Sequence, residues 1–342
     1  MLKMFNKNVP KNRLDSGFEN STPVSMDLKL RNAFEALYGR APKEGETEVL
    51  NHVAIGSGNK PIASLYRAII AAFDRQTLAT PFTIRFGGDD VIYCTLNGFE
   101  LATDEVDISV GAPMRVYQQY EPHMTSFFKS YIKPGMTVVD VGANIGYYSL
   151  LASQLVGAAG KVFSFEPNSE NCRLILLSLR KNQCSNVHLH PIGVSDSLGV
   201  AYFSPHIGSN GGFFPSDDQT LMNPNCVVIP TIRLDDAIGG SKVDFLKMDT
   251  EGAEGLVIAG ARKTIERDRP IVTSEFSMEM LPRVSGISCE EFLDFFLSLG
   301  YSMYLISQTT GEPQFVENPQ VFLAGYGPEI RIEDLAFFPE RL

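Results

Sequence analysis

The spacing of apolar residues changes several times along the chain, and each change marks a predicted element. Residues 1–22 are polar and turn-rich and read as a flexible tail. Over 23–80 the apolar positions fall at helical spacing, first Leu30, Phe34 and Leu37, later Leu65, Ile69 and Phe73. Gly39-Arg40-Ala41-Pro42 between them is a helix stop, so a helical N-terminal module is expected. Residues 81–115 alternate in the manner of strands, with Phe82 to Phe86 and Val91 to Leu96 as two runs and Asn97-Gly98 as a hairpin turn; a β-ribbon is expected there. Met124, Phe127, Phe128 and Tyr131 then make one face of a helix ending near Lys133-Pro134-Gly135.

From Thr137 onward strand and helix patterns alternate. Strands are predicted at 137–141, 161–165, 187–194, 243–248, 271–275, 301–306 and 320–324, and helices near 147–156, 169–183, 253–267 and 288–299. The last helix carries the capping box Ser288-x-x-Glu291 and stops at Gly300. The fold class is therefore α/β, a doubly wound and mostly parallel seven-stranded sheet over 116–342, preceded by the helical extension and the ribbon. A segment rich in Gly, Ser, Asn, Pro and Asp, between Phe203 and Cys226, interrupts the alternation. Its length predicts a lid over an acceptor.

Composition narrows the function classes. Hydrophobic residues make up 44% of 342 positions, enough for a large core. The balance of 29 basic against 40 acidic residues, net −11, argues against a non-specific nucleic-acid binder. Five scattered cysteines without a C-x-x-C pair read as reduced thiols. With neither a signal-peptide pattern at Met1 to Asp15 nor a membrane-length apolar run, a cytoplasmic protein is expected, and nothing in the sequence excludes an oligomer.

Two stretches carry the chemistry. The first is Val138-Val139-Asp140-Val141-Gly142-Ala143-Asn144-Ile145-Gly146, a β-branched run turning through two glycines into a helix. Such a turn lets a ligand lie against bare backbone. About twenty residues on, the predicted strand at 161–165 ends in Glu166, placed to accept hydrogen bonds from ribose hydroxyls. The third glycine of a pyrophosphate turn has no counterpart. The ligand favoured is therefore a ribose without phosphates, and S-adenosylmethionine fits. The predicted contacts are Asp140, Gly142, Asn144, Gly146 and Glu166, with Ser195 on the adenine side. An ordinary strand–helix turn without ligand fits the glycines as well.

The second stretch, Lys247-Met248-Asp249-Thr250-Glu251-Gly252-Ala253-Glu254, sets acids and a base at the carboxyl end of an apolar strand. Charges there face the crevice of a parallel sheet, since unpaired burial is costly. Asp249 is expected to line the reacting centre and Glu251 to act as base, while Lys247 keeps the carboxylates ionised. The alternatives are a solvated cluster capping the next helix, or carboxylates around a divalent cation. No metal ligands are assigned. His188 and His190 read as strand-face residues, and Phe292, Phe295 and Phe296 as core.

Taken together, Asp-Val-Gly-Ala-Asn-Ile-Gly-Tyr-Tyr-Ser (140–149), Phe-Glu-Pro-Asn (165–168), Leu-Asp-Asp (234–236), Lys-Met-Asp-Thr-Glu-Gly-Ala-Glu (247–254), Gly-Ala (260–261) and Ser-Glu (274–275) resemble the FkbM family of methyltransferases over roughly 91–280. The resemblance implies the seven-stranded class I fold, S-adenosylmethionine as donor and an O-methyl product on a sugar, glycan or polyketide-like small molecule. A nicotinamide-dependent oxidoreductase, and a degenerate methyltransferase domain acting as scaffold, are the competing expectations.

Overall fold

The computed structural model describes residues 91–104, 107, 110–205, 211–214, 226–325 and 332–339. The tail, the helical module at 23–80 and the strand expected at 82–86 lie outside them. The chain divides into two compact units, 1–92 with 104–118, and 93–103 with 119–342. In the first, the Asp107 carboxylate accepts from the amides of Val110 and Gly111, which open helix α1 (Gly111–Tyr117).

The ribbon is β1 (Val91–Leu96) and β2 (Phe99–Asp104), paired across Asn97-Gly98. Both turn residues hold positive φ, 49° and 85°, as the tight hairpin requires. Next come α2 (Pro122–Tyr131), β3 (Thr137–Val141), α3 (Tyr147–Val156), β4 (Lys161–Phe165) and α4 (Ser169–Lys181). Then follow β5 (Val187–His190), β6 (Gly193–Val194), β7 (Gly199–Pro205), β8 (Gly211–Phe214), β9 (Val227–Ile232) and α5 (Leu234–Ala237). The chain continues through β10 (Phe245–Met248), α6 (Glu254–Gly260), α7 (Arg262–Asp268), β11 (Ile271–Ser277), α8 (Met280–Ser285) and α9 (Cys289–Ser298). It ends in β12 (Tyr301–Ile306), β13 (Pro313–Phe315), α10 (Pro319–Ala324) and β14 (Ile332–Pro339).

The large sheet runs β13-β12-β14-β11-β10-β3-β4-β5. Without the short edge strand β13 it has seven strands. Counted in chain order from the β5 edge they read third, second, first, fourth, fifth, seventh, sixth, with the seventh, β14, antiparallel to both neighbours. That is the class I methyltransferase arrangement. The order reverses at β3, whose partners are β4 and β10, so the crevice opens above the carboxyl ends of β3 and β10. On one face Phe127 and Phe128 of α2 pack on Phe245 of β10. On the other, Phe292 and Phe296 of α9 lie buried against Phe337, the latter pair stacked at 4.0 Å.

Several boundaries differ from the sequence reading, each for a local reason. The strand expected at 320–324 is helix α10: Pro319 occupies its first turn, and the Asn318 side chain accepts from the Val321 amide. The seventh strand lies instead at 332–339. The strand expected at 187–194 divides at Pro191, with β5 in the large sheet and β6 in a second sheet of order β6-β9-β7-β8. Strand β11 runs past Glu275 to Ser277, and the helix expected at 253–267 is two, meeting at Ala261. The interrupting segment contributes β7 and β8, while 206–210 and 215–225 lie outside the described residues. The small sheet buries Phe203 and Ile229 against Ala253 at the start of α6.

Candidate active site

Where β3 ends, the chain turns because Gly142 and Ala143 both donate their amides to the last carbonyl of β4, Phe165, at 3.0 Å each. Gly142 holds φ +76°. A Cβ there would fall 1.9 Å from the backbone carbonyl oxygen of Asp249. At Gly146, φ +91°, a Cβ would meet Ile175 of α4 at 2.9 Å. Both glycines are thus required by the chain itself: one admits the turn after β10, the other the helix after β4. The sequence reading gave that bare backbone to a ligand. The structure gives the space beside Gly142 to Asp249.

Asp140 is fully buried. Its Oδ2 accepts from Ser149 Oγ at 2.6 Å, which fixes it to the first turn of α3. Its Oδ1 faces Lys247 Nζ at 3.2 Å. Lys247, 4% exposed, also donates to the Gly142 carbonyl at 3.1 Å and lies 3.6 Å from Asp249 Oδ2. Burial alone would lower the lysine pKa, but the Asp140 and Asp249 carboxylates reverse that and hold it above the ordinary lysine value. One buried ammonium therefore joins the two sequence motifs.

Glu166, also buried, receives three donors: the amides of Asn144 (2.8 Å) and Asn168 (2.9 Å) and the Asn171 side chain (3.4 Å). Burial pushes its pKa up to about 7 against the pull of these donors. Asn144 holds φ +53°, and its side-chain oxygen accepts from the Ile145 amide. Ser195 directly follows β6 of the small sheet. Its amide donates to the Ile232 carbonyl, and its own carbonyl occupies the place a Cβ on Gly260 would take.

Across the crevice Glu251 holds φ +56°, and Gly212 of β8 passes close to its Cβ. Burial and the neighbouring Asp249 push its pKa up to about 7. Glu254 is architectural: its Oε1 accepts from the Thr250 amide (2.7 Å) and hydroxyl (2.9 Å), closing the turn before α6. So is Asp235 of the Leu-Asp-Asp motif, whose carboxylate accepts from Lys263 and Thr264 at the start of α7. His188 and His190 stack on Phe163 and Phe165 as strand-face residues. Among the described residues, no group of His, Cys, Asp or Glu is arranged to hold a metal ion, and no helix is long and apolar enough to cross a membrane.

Sequence reasoning passed over Tyr120, Glu121, His123 and Asp334. Asp334 of β14 lies opposite Glu275 of β11, and its Oδ2 lies 2.9 Å from His123 Nε2 and accepts from Gln308 Nε2 at 2.9 Å. Burial raises the Tyr120 pKa well above the ordinary tyrosine value, and Glu121, Asp249, Glu275 and Glu251 add to the shift. Four carboxylates therefore bear electrostatically on one phenol. The available signal was Pro122, a helix-start marker directly after Tyr120-Glu121.

The methyltransferase FkbM domain model matches residues 140–303. A 2-O-methyltransferase NoeI from Sinorhizobium fredii (strain NBRC 101917 / NGR234) is 28% identical over 167 residues, 43% of this chain and 66% of that protein. A structure of methyltransferase FkbM from Methylobacillus flagellatus KT is 17% identical with a TM-score of 0.41, covering 90% of this chain and 58% of its own. One of a SAM-dependent O-methyltransferase from Thermotoga maritima is 13% identical with a TM-score of 0.36, covering 68% and 71%. The chain thus spans 66% of the length of the first relative and 58% of the first structure. The strand order, not these superpositions, identifies the fold. Residues 140–303 of this chain are a methyltransferase domain of the FkbM family.

Proposed function

We propose that the chain is an S-adenosylmethionine-dependent O-methyltransferase whose acceptor is a hydroxyl of a sugar, glycan or polyketide-like small molecule. The observation that carries this reading is Lys247 bridging Asp140 and Asp249 at 3.2 and 3.6 Å, because it sets the glycine turn and the acid turn in one crevice. The residues fit such a donor. Glu166 stands at the end of β4 where a ribose is received, with lone pairs beyond those its backbone donors use. Asp140, Gly142, Asn144 and Gly146 form the turn beside it, and Ser195 is assigned the adenine side. Bound there, S-adenosylmethionine supplies an electrophilic methyl carbon on a sulfonium.

The rest of the chemistry belongs to the protein. Asp249 lines the reacting centre, and Lys247 compensates its charge and that of Asp140. Glu251 takes the proton of the acceptor hydroxyl. A base titrating near 7 is partly ionised at neutral pH and, once ionised, accepts a proton readily, which suits this role. Strand β8, whose Gly212 lies close to the Glu251 Cβ, would form part of the acceptor's cover. The relative named as a 2-O-methyltransferase supports oxygen as the methylated atom.

The test is incubation with methyl-labelled S-adenosylmethionine and a panel of glycan and lipid extracts, read by mass spectrometry. The expected product gains one methyl group on oxygen. Thermal stabilisation by NAD and not by S-adenosylhomocysteine would return the oxidoreductase reading. Donor binding without methylation of any extract would favour the scaffold reading.

A further inference from the structure

Glu121 stands just before Pro122, at the N-cap of α2, with φ +35°. For a residue with a Cβ the left-handed region is strained and persists only where the surroundings impose it. An acid at an N-cap ordinarily accepts from first-turn amides, yet the Glu121 side chain makes no such bond. Its Oε2 accepts instead from the Tyr148 hydroxyl at 2.6 Å. Tyr148 lies on the first turn of α3, two residues past Gly146. Its ring packs among Phe128, Tyr120 and Tyr147, and Lys247 Nζ sits 5.3 Å from the ring centroid. Lys247 in turn holds the Gly142 carbonyl, Asp140 and Asp249.

A tyrosine fixed at its hydroxyl cannot swing its ring, and the ring is the surface on which the ammonium rests. We infer that Glu121 is a positioning residue of the donor site, acting through Tyr148 on Lys247, and through Lys247 on the Gly142 carbonyl and the Asp249 carboxylate. This rests on the donor reading above and adds to it a residue outside both motifs. Burial raises the Glu121 pKa, as do Asp334 and Asp249, while the Tyr148 hydrogen bond and His123 oppose the rise. Ionised or protonated, the carboxyl still offers an acceptor oxygen to Tyr148.

The experiment is calorimetric binding of S-adenosylhomocysteine to the full chain, with folding checked by circular dichroism. Glu121→Ala should weaken binding about tenfold, the size of a lost hydrogen bond to a charged group. Glu121→Gln, whose amide oxygen still accepts from the hydroxyl, should stay within about twofold of wild type. Tyr148→Phe should match Glu121→Ala, and the double variant should be no weaker than either single one, because the two act in series. Tyr148→Phe keeps the ring and, against Glu121→Gln, carries the test if Glu121→Ala fails to fold. Unchanged binding in Glu121→Ala or Tyr148→Phe, equal losses for Gln and Ala, or additive losses in the double variant would overturn the inference. If wild type binds no S-adenosylhomocysteine, the donor reading falls and this one with it; binding by wild type with unaffected variants removes this one alone.

Discussion

Glu166 and Asp249 both stand at the carboxyl ends of parallel strands, yet their surroundings treat negative charge differently. Around Glu166 the compensation is made of dipoles: two backbone amides and an asparagine, all fixed by the start of α4 and the turn after β3. Around Asp249 it is one ammonium, shared with Asp140, while Glu251 and Glu121 add like charge. Dipoles that are already part of the fold make a rigid cradle. A single cation among several acids makes a site whose protonation follows its occupant. The first arrangement suits binding and the second suits proton transfer.

Removing the shared cation breaks the comparison most directly. Lys247→Ala leaves Asp140 buried without its counter-charge, and loss of one partner of a buried pair costs about 3–5 kcal/mol. Urea unfolding should show that loss. Lys247→Arg, which keeps the charge but not the shape of the ammonium, should recover part of it.

Glu251→Gln is next, because it acts on one side only. Turnover on an identified acceptor should fall by about 10²–10⁴, whereas affinity for S-adenosylhomocysteine should hold. With the wild type the rate should rise through pH 7 and then level, since the base must lose its proton and does so near 7. Equal losses of binding and turnover would make Glu251 part of the donor cradle and erase the distinction.

The cradle has its own pH signature. Glu166 is raised to about 7 in the folded protein, above the ordinary glutamate value that the unfolded chain restores. A raised carboxyl stabilises the fold at pH below its unfolded value and loses that contribution as pH climbs through the folded one. The ligand-free protein should therefore become less stable between about pH 4.5 and 7, by up to about 3 kcal/mol for this residue. Unfolding at pH 5 and pH 8 should show the slope, and Glu166→Gln should reduce it.

How far the sequence revealed all this depends on whether local and tertiary signals agree. Strands β3, β4 and β12 fall within the boundaries their β-branched and aromatic runs predict, because these are buried strands bounded by turns. At 320–324 the apolar run Val-Phe-Leu-Ala pointed to a strand, but Asn318-Pro319 had already set a helix start. Strand β14 was missed because Glu333 and Asp334 break its apolar pattern; Asp334 bonds there to His123 and Gln308, which lie far away in sequence. The same distance hid Glu121. The motif residues were visible as a group, but spacing alone could not separate the acids of the site from the acids of the frame.

Asp235 tests that last separation and predicts the smallest effect. It belongs to a family motif as much as Asp249 does, yet it lies at the head of α7, where its carboxylate accepts from two amides and the Thr264 hydroxyl and pairs with Arg233. Nothing in that list faces the crevice. Asp235→Ala should cost about 1–2 kcal/mol, the value of a helix cap, and leave S-adenosylhomocysteine affinity unchanged by calorimetry. Asp235→Asn, which keeps one acceptor oxygen, should lose less. If Asp235→Ala weakened donor binding as much as Glu166→Gln does, capping of α7 and the cradle would be one cooperative unit, and residues in family motifs could not be divided into frame and site by their hydrogen-bond partners.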